Sequence, residues 1–145
     1  MVKNFEIERP KIGVGVIIVN CEGKILVGKR AGSHAQYYSI PGGHLELGET
    51  FEEAAVKEVK EETSLTILNP KVICVTNNLG TYEKEGKHYI SVSLLADEFE
   101  GTPKALEMHK CQKWFWVDPE NLPEPHFDAS RLSVKCFLVK KFYVQ

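Results

Sequence analysis

No stretch of this 145-residue chain is apolar for long enough to cross a bilayer. The apolar run from Ile12 to Val19 is far shorter than the roughly 20 residues that a helical span needs. The segment Met1 to Lys11 carries Lys3, Glu6, Glu8 and Arg9 where a secretory leader would be apolar. Neither sign of charge dominates, since 18 Lys and Arg stand against 20 Asp and Glu for a net charge of −2. No overall basic field exists to hold a nucleic-acid polymer, so any phosphate recognition is local and a monomeric nucleotide suits the balance better. Cysteine is sparse: Cys21, Cys74, Cys111 and Cys136 show neither C-x-x-C spacing nor a dense framework, as in a reduced compartment. Repeats and low-complexity tracts are absent as well. The expectation is a cytoplasmic protein with no membrane partner; a homodimer is left open.

What is present is a core. With 43% hydrophobic residues, the chain is long enough to form one domain over residues 1–145 without disulfides. Ile12 to Val19 reads as a buried strand, Asn20-Cys21-Glu22-Gly23 as a turn, and Lys24 to Arg30 as a second strand. Tyr37 to Ile40 is a short strand ending at Pro41, and Gly42-Gly43 permits a backbone turn close to a ligand. Further strands are expected at Leu65 to Asn77, interrupted by Asn69-Pro70, at His88 to Glu98 and at Cys111 to Val117. Two helices complete the frame. Thr50 caps the first, Phe51 to Thr63, with Glu53 completing a capping box. Asp128 to Phe142 forms the second, with Leu132, Val134, Phe137, Leu138 and Val139 as its apolar positions. Periodicity by itself supports a mixed α and β domain.

The first helix carries the chemistry. Glu58, Glu61 and Glu62 fall within an arc of roughly 100° on one turn, because helical positions three and four apart are neighbours. Phe51, Ala54 and Ala55 project to the same side as Glu58 and Glu62, so the acidic cluster borders the buried face. A solvated acidic face would not be arranged so. Carboxylates at the edge of a core cost several kcal/mol, roughly, unless a partner compensates. Hard oxygen donors of this kind suit Mg²⁺ or Mn²⁺, with water and substrate phosphate in the remaining positions.

The run Gly43, Glu49, Lys57, Glu58, Val59, Glu61, Glu62, Ser64, Leu65 resembles the Nudix box, G-x5-E-x7-R-E-U-x-E-E-x-G-U, where U is a bulky aliphatic. Seven of its nine specified positions agree without a gap. Lys57 replaces the family arginine and lacks its planar fork. Ser64 replaces a glycine at a helix end that favours the left-handed region. Pro41 to Glu46, Gly28-Lys29-Arg30, Val75 to Asn78, His88 to Ser93 and Trp114 to Val117 resemble the MutT-type nucleoside triphosphate diphosphatases, above all small plant and animal members. The resemblance implies an α/β fold, an α/β/α sandwich with a central mixed β-sheet.

It also implies roles. Glu58 and Glu62 are the expected direct Mg²⁺ ligands, with Mn²⁺ as a substitute, and the main-chain carbonyl of Gly42 a further one. Glu61 is either another ligand or the base that takes a proton from water. Glu58 and Lys57 join it in the catalytic group, and Glu49 organises the loop or serves the helix dipole. Arg30 or Lys29 binds the phosphates; strand alternation lets one of them face the site, and hydrogen-bonding geometry favours Arg30; Gly43 and His44 lie in the loop beside it. His88 reads as structural, and Glu107 is either a fourth acid of the site or a solvated loop residue. Phe127 and Asp128 fall where relatives contact the base, although Asp128 also suits an N-cap. Trp114 and Trp116 read as core. Three activities follow in order: a Mg²⁺-dependent nucleoside triphosphate diphosphatase, with oxidised guanine nucleotides among its substrates; a hydrolase of ADP-ribose, a nucleotide sugar or an isoprenoid diphosphate; and a non-enzymatic nucleotide sensor.

Overall fold

A computed structural model describes residues 7–145; Lys3 and Glu6, part of the leader argument, lie outside the described residues. Alternation in β1 (Lys11–Ile18) sends Val14, Val16 and Ile18 to one face of the sheet and Ile17 to the other, and all four are buried. β7 (Tyr89–Ala96) runs parallel beside it, from Ile12 opposite Ile90 to Ile18 opposite Ala96, and divides its side chains in the same way. A sheet with two apolar faces needs a helix on each. α1 (Phe51–Thr63) covers one face through Ala54, Ala55 and Val59, while α3 (Asp128–Val139) covers the other through Val134 and Phe137.

β4 (Gly42–His44) and β6 (Lys71–Asn77) complete the central sheet in the order β4-β1-β7-β6, each antiparallel to its neighbour. The result is the expected α/β/α sandwich on a mixed sheet. A second, antiparallel sheet has the order β3 (Tyr38–Ser39), β2 (Ile25–Arg30), β9 (Cys111–Val117). The turn from β1 to β2 is held by Asn20, whose side-chain oxygen accepts from the amides of Glu22 and Lys24 at 3.0 Å. β5 (Thr66–Leu68) and β8 (Glu98–Glu100) pair as a short ladder after α1 and β7.

Several expectations need correction. The strand expected over His88 to Glu98 ends at Ala96, and Glu98 starts β8. A further helix, α2 (Leu79–Glu85), lies in a stretch for which no element was expected. α3 stops at Val139, where Lys140 turns left-handed at φ 56°. Its inward face is Ser130, Ser133, Val134 and Cys136, whereas Leu138 and Val139 are exposed. Asp128 is not the N-cap: Phe127 holds that position without a side-chain bond, and Asp128 is the first helical residue.

α1 begins and ends as its sequence requires. Thr50 Oγ1 accepts from the Glu53 amide at 3.0 Å, the Thr50 half of the expected capping box. At the other end Ser64 sits at φ 74° and its amide reaches the Lys60 carbonyl. Glycine takes that conformation without the steric cost a Cβ brings. Ser64→Gly is therefore expected to stabilise the protein by about 0.5–1 kcal/mol, a rise of roughly 2–4 °C in a thermal melt.

Candidate active site

The site forms where α1 crosses β4. A Cβ on Gly42 would stand 2.2 Å from the Val14 carbonyl oxygen, and one on Gly43 would stand 2.3 Å from Glu58 Cδ. Glycine at 42 lets this strand lie against β1, and glycine at 43 leaves room for the Glu58 carboxylate. Glu58 and Glu62, one turn apart, are both partly buried there, and Glu61 beside them is exposed. Burial and then the charge of Glu58 raise the Glu62 carboxyl to about 8, against a hydrogen bond from the Gly42 main chain. Glu58 is raised by burial and then by Glu61.

None of these three glutamates forms an ion pair among the described residues. Two desolvated carboxylates that repel each other fit a divalent cation, which would remove both costs. Among the described residues no three His, Cys, Asp or Glu groups stand together as a ready-made metal cage. A small site completed by water and substrate phosphate is the kind Mg²⁺ prefers.

All three glutamates line a cleft of about 630 Å³. Gly42, Gly43 and His44 also line it, and His44 stacks on Tyr89 with ring centroids 5.3 Å apart. Arg30 faces the cleft and Lys29 does not; a shift in the pairing of β2 with β9 falls between them. Arg30 Nε donates to the Ser33 carbonyl at 3.3 Å. Glu107, on the loop before β9, lines the cleft as well; it pairs with Lys110 at 3.3 Å, and its charge raises both Glu58 and Glu62.

Lys57 stands apart from this group. Its ammonium meets Glu49 at 2.8 Å, and Glu49 Oε1 also accepts from the Glu46 amide at 2.9 Å. The hydrogen bond between them raises Lys57 and lowers Glu49. Lys57 thus holds the loop that leads into α1, through the residue expected to organise it.

The cleft wall away from the glutamates divides the expectations. Phe127 lines it, with the His34 ring 4.9 Å away. Asp128 is not among the lining residues, and its carboxylate pairs with Lys84 at 2.8 Å. His88 bonds Asn77 at 2.6 Å, in keeping with a structural role. Trp116 stacks on Phe99, whereas Trp114 both packs on the core and lines the cleft, its indole N–H donating to the Glu62 carbonyl at 3.2 Å.

Sequence reasoning missed the polar wall made by Asn78, Thr81, Ser91, Ser130 and Ser133. The spacing of Ser130 and Ser133, one helical turn, was the available signal. His126 fixes this wall: its Nδ1–H donates to the Pro123 carbonyl at 3.3 Å, so Nε2 accepts the Ser130 hydroxyl at 2.7 Å. Ser130 in turn accepts from the Ile40 amide at 3.0 Å. Burial holds His126 down at about 4, so it is neutral at pH 7.

Known proteins share this fold. The NUDIX domain family matches residues 9–135, and the chain belongs to the Nudix hydrolase family. It is 37% identical over 120 residues to an ADP-ribose pyrophosphatase of Methanocaldococcus jannaschii, covering 79% of this chain and 66% of that protein. It is 30% identical over 116 residues to an RNA pyrophosphohydrolase of Orientia tsutsugamushi, covering 80% and 65%. The chain thus spans just under two thirds of the length of these curated relatives. The crystal structure of a MutT NUDIX hydrolase from Burkholderia pseudomallei superposes with a TM-score of 0.80 at 29% identity, covering 88% of this chain and 98% of that one.

Two outcomes follow from this geometry. In chelator at pH 7, Glu62→Gln is expected to melt higher than the parent, because a carboxyl raised to about 8 keeps a proton in the fold that the unfolded chain releases, a cost the amide does not carry. Added Mn²⁺ should raise the melting temperature of the parent and not of the variant, read by thermal unfolding with and without metal. For His126 the folded value of about 4 lies below the ordinary 6.5, so the unfolded chain holds the extra proton in between. Its contribution is intact above pH 6.5 and is lost as pH falls toward 4, on the order of 3 kcal/mol in all. Because the raised Glu62 carboxyl contributes a slope of opposite sign in both proteins, the His126 slope should appear as the difference between denaturant titrations of the parent and of His126→Gln across that window.

Proposed function

We propose that this protein hydrolyses a phosphoanhydride bond of nucleoside triphosphates, ribo or deoxy, with oxidised guanine nucleotides among its substrates. The products are a nucleoside monophosphate and pyrophosphate. The observation that carries this reading is the pair Glu58 and Glu62, desolvated against the glycines of β4 and opening on a cleft. That volume is in the usual range for a small-molecule site. In this reading residues 1–145 act as one domain on a small substrate in the cytoplasm.

Glu58 and Glu62 would hold Mg²⁺ or Mn²⁺, with the Gly42 carbonyl as a candidate third ligand. When bound, the cation neutralises phosphate oxygens and lowers the pKa of a coordinated water. Glu61, exposed and lining the same cleft, would accept the proton of the attacking water or complete the ligand set. Water oxygen bonds to phosphorus as the bridging P–O bond breaks, and pyrophosphate leaves with the electron pair. Arg30 faces the same cleft and offers a forked donor to the phosphate chain. Lys57, through Glu49, positions the loop rather than touching substrate.

A second reading has specific support. The M. jannaschii relative is named for ADP-ribose, and an ADP-ribose, nucleotide-sugar or isoprenoid diphosphate would present the same bond to the same carboxylates. The O. tsutsugamushi relative is named for RNA, which makes 5′-triphosphorylated RNA a further substrate to test, although the net charge of −2 supplies no field for a polymer.

A panel of nucleoside triphosphates, ADP-ribose, nucleotide sugars and triphosphorylated RNA, incubated with Mg²⁺ and scored by product, distinguishes these. Pyrophosphate and monophosphate from a triphosphate, with the highest kcat/KM of the panel, is the expected result. Glu61→Gln with Glu62→Gln is expected to lower kcat about a hundredfold or more while the chain stays folded. Turnover at the parental rate by that double variant contradicts the assignment.

A further inference from the structure

The cleft wall opposite the glutamates is almost fully satisfied within the fold. Asn78 Oδ1 accepts from the Thr76 hydroxyl at 3.0 Å, and its Nδ2 donates to Ser91 Oγ at 2.8 Å. Ser133 Oγ pairs with Ser93 Oγ at 2.7 Å, and Ser130 Oγ is held between His126 and the Ile40 amide. Thr81 is the exception. Its residue is 5% exposed and lines the cleft, and its Oγ1 is the one buried side-chain polar atom without a hydrogen-bond partner among the described residues. A buried hydroxyl left in that state costs free energy that a ligand can return.

Place in the fold says which part of a ligand does so. α2, which carries Thr81, joins β6 to β7 and packs against β7 and α3. Gly42 and Gly43 are on β4, and β1 stands between β4 and β7. Two interstrand steps separate β4 from the strand beside α2, roughly 10 Å at the usual spacing. A phosphate chain held at β4 and Arg30 therefore extends its nucleoside part, not another phosphate, toward Thr81.

We propose that the Thr81 hydroxyl is a specificity-determining contact that hydrogen-bonds a polar group of the substrate's nucleoside part, on a base edge or a sugar hydroxyl. The assignment rests on the phosphoanhydride reading for the orientation of the ligand. A hydroxyl can both donate and accept, so the partner is a carbonyl, an amine or another hydroxyl. The other hydroxyl and amide side chains of this wall, on Asn78, Ser91, Ser130 and Ser133, already have partners within the fold. A substrate lacking the matching group leaves Thr81 unpaired, which is how a built polar site rejects an analogue.

The test compares Thr81→Val, which keeps shape and removes the hydroxyl, with Thr81→Ser, which keeps it. Each is titrated with non-hydrolysable α,β-methylene triphosphates of the four bases in ribose and deoxyribose forms, and with inorganic tripolyphosphate. For the nucleotide bound best by the parent, Thr81→Val should raise Kd roughly fivefold or more and Thr81→Ser should stay within about twofold. Tripolyphosphate should bind all three alike, and the free Thr81→Val protein should melt at or above the parent. A loss that depends on base places the partner on the base edge; one that depends on ribose against deoxyribose places it on the sugar. Equal binding of every nucleotide by Thr81→Val overturns the proposal, as does a lower melting temperature of that free variant. A parent that binds no nucleotide more tightly than tripolyphosphate overturns it too. If the parent binds nucleotides and hydrolyses none, the proposed reaction fails while the Thr81 comparison is still read from binding.

Discussion

The close approach of β4 to α1 is the constraint on which the rest of the site depends. A side chain at 42 would collide with the Val14 carbonyl, so glycine there is a steric requirement, and one at 43 would displace the Glu58 carboxylate. The two glycines bring the main chain within reach of Glu62 and leave Glu58 pressed against the strand. The parallel β1–β7 pair, buried on both faces, gives this contact a rigid floor. Alanines at 54 and 55, both fully buried, let the helix settle onto that floor.

Electrostatics follow from that packing. Carboxylates on the buried edge of a helix are destabilised by lost hydration and by each other, and Glu62 is shifted to about 8 as a result. The cations nearest in the fold are occupied: Lys57 holds Glu49 and Lys110 holds Glu107. Arg30 is bonded to the loop at Ser33 yet still faces the cleft. The protein thus concentrates carboxyl groups at a cleft with a separate polar wall, where lost hydration and mutual repulsion outweigh the pull of Lys57, Lys110 and Arg30. Strain of this kind persists where function requires it.

Much of this was legible because it is local. The bounds of α1 and β9 follow from a cap, a left-handed stop and alternation, and the structure places both over the expected residues. The glutamate face is a matter of helical spacing alone; alternation says that one of Lys29 and Arg30 faces the site, and the forked donor of Arg30 favours it over Lys29. What was hidden depends on tertiary partners. α2 has seven residues with a glycine among them, too short for a period to show. The inward face of α3 is largely serine and cysteine, because Ser130 and Ser133 find buried partners that no pattern of apolar residues announces. Asp128 looked like a cap or a base reader, and its carboxylate instead meets Lys84 from α2, a helix not foreseen. Glu107, far along the chain from α1, was named only through family resemblance, and the structure sets it on the same cleft.

Family membership and geometry together separate what is shared from what is particular. In the proposed reading, the glycine strand and the glutamate helix form the phosphoanhydride end of the cleft. The wall built from α2, β7 and α3 is where a choice between a triphosphate and another diphosphate would be made. The central claim, that Glu58 and Glu62 against β4 hold a divalent cation, is tested most directly by electron paramagnetic resonance titration of Mn²⁺ into the protein. Saturable binding by the parent, weakened by about tenfold or more in Glu58→Gln, is the result this account predicts. Binding of equal strength in both proteins, or none in the parent, would contradict it.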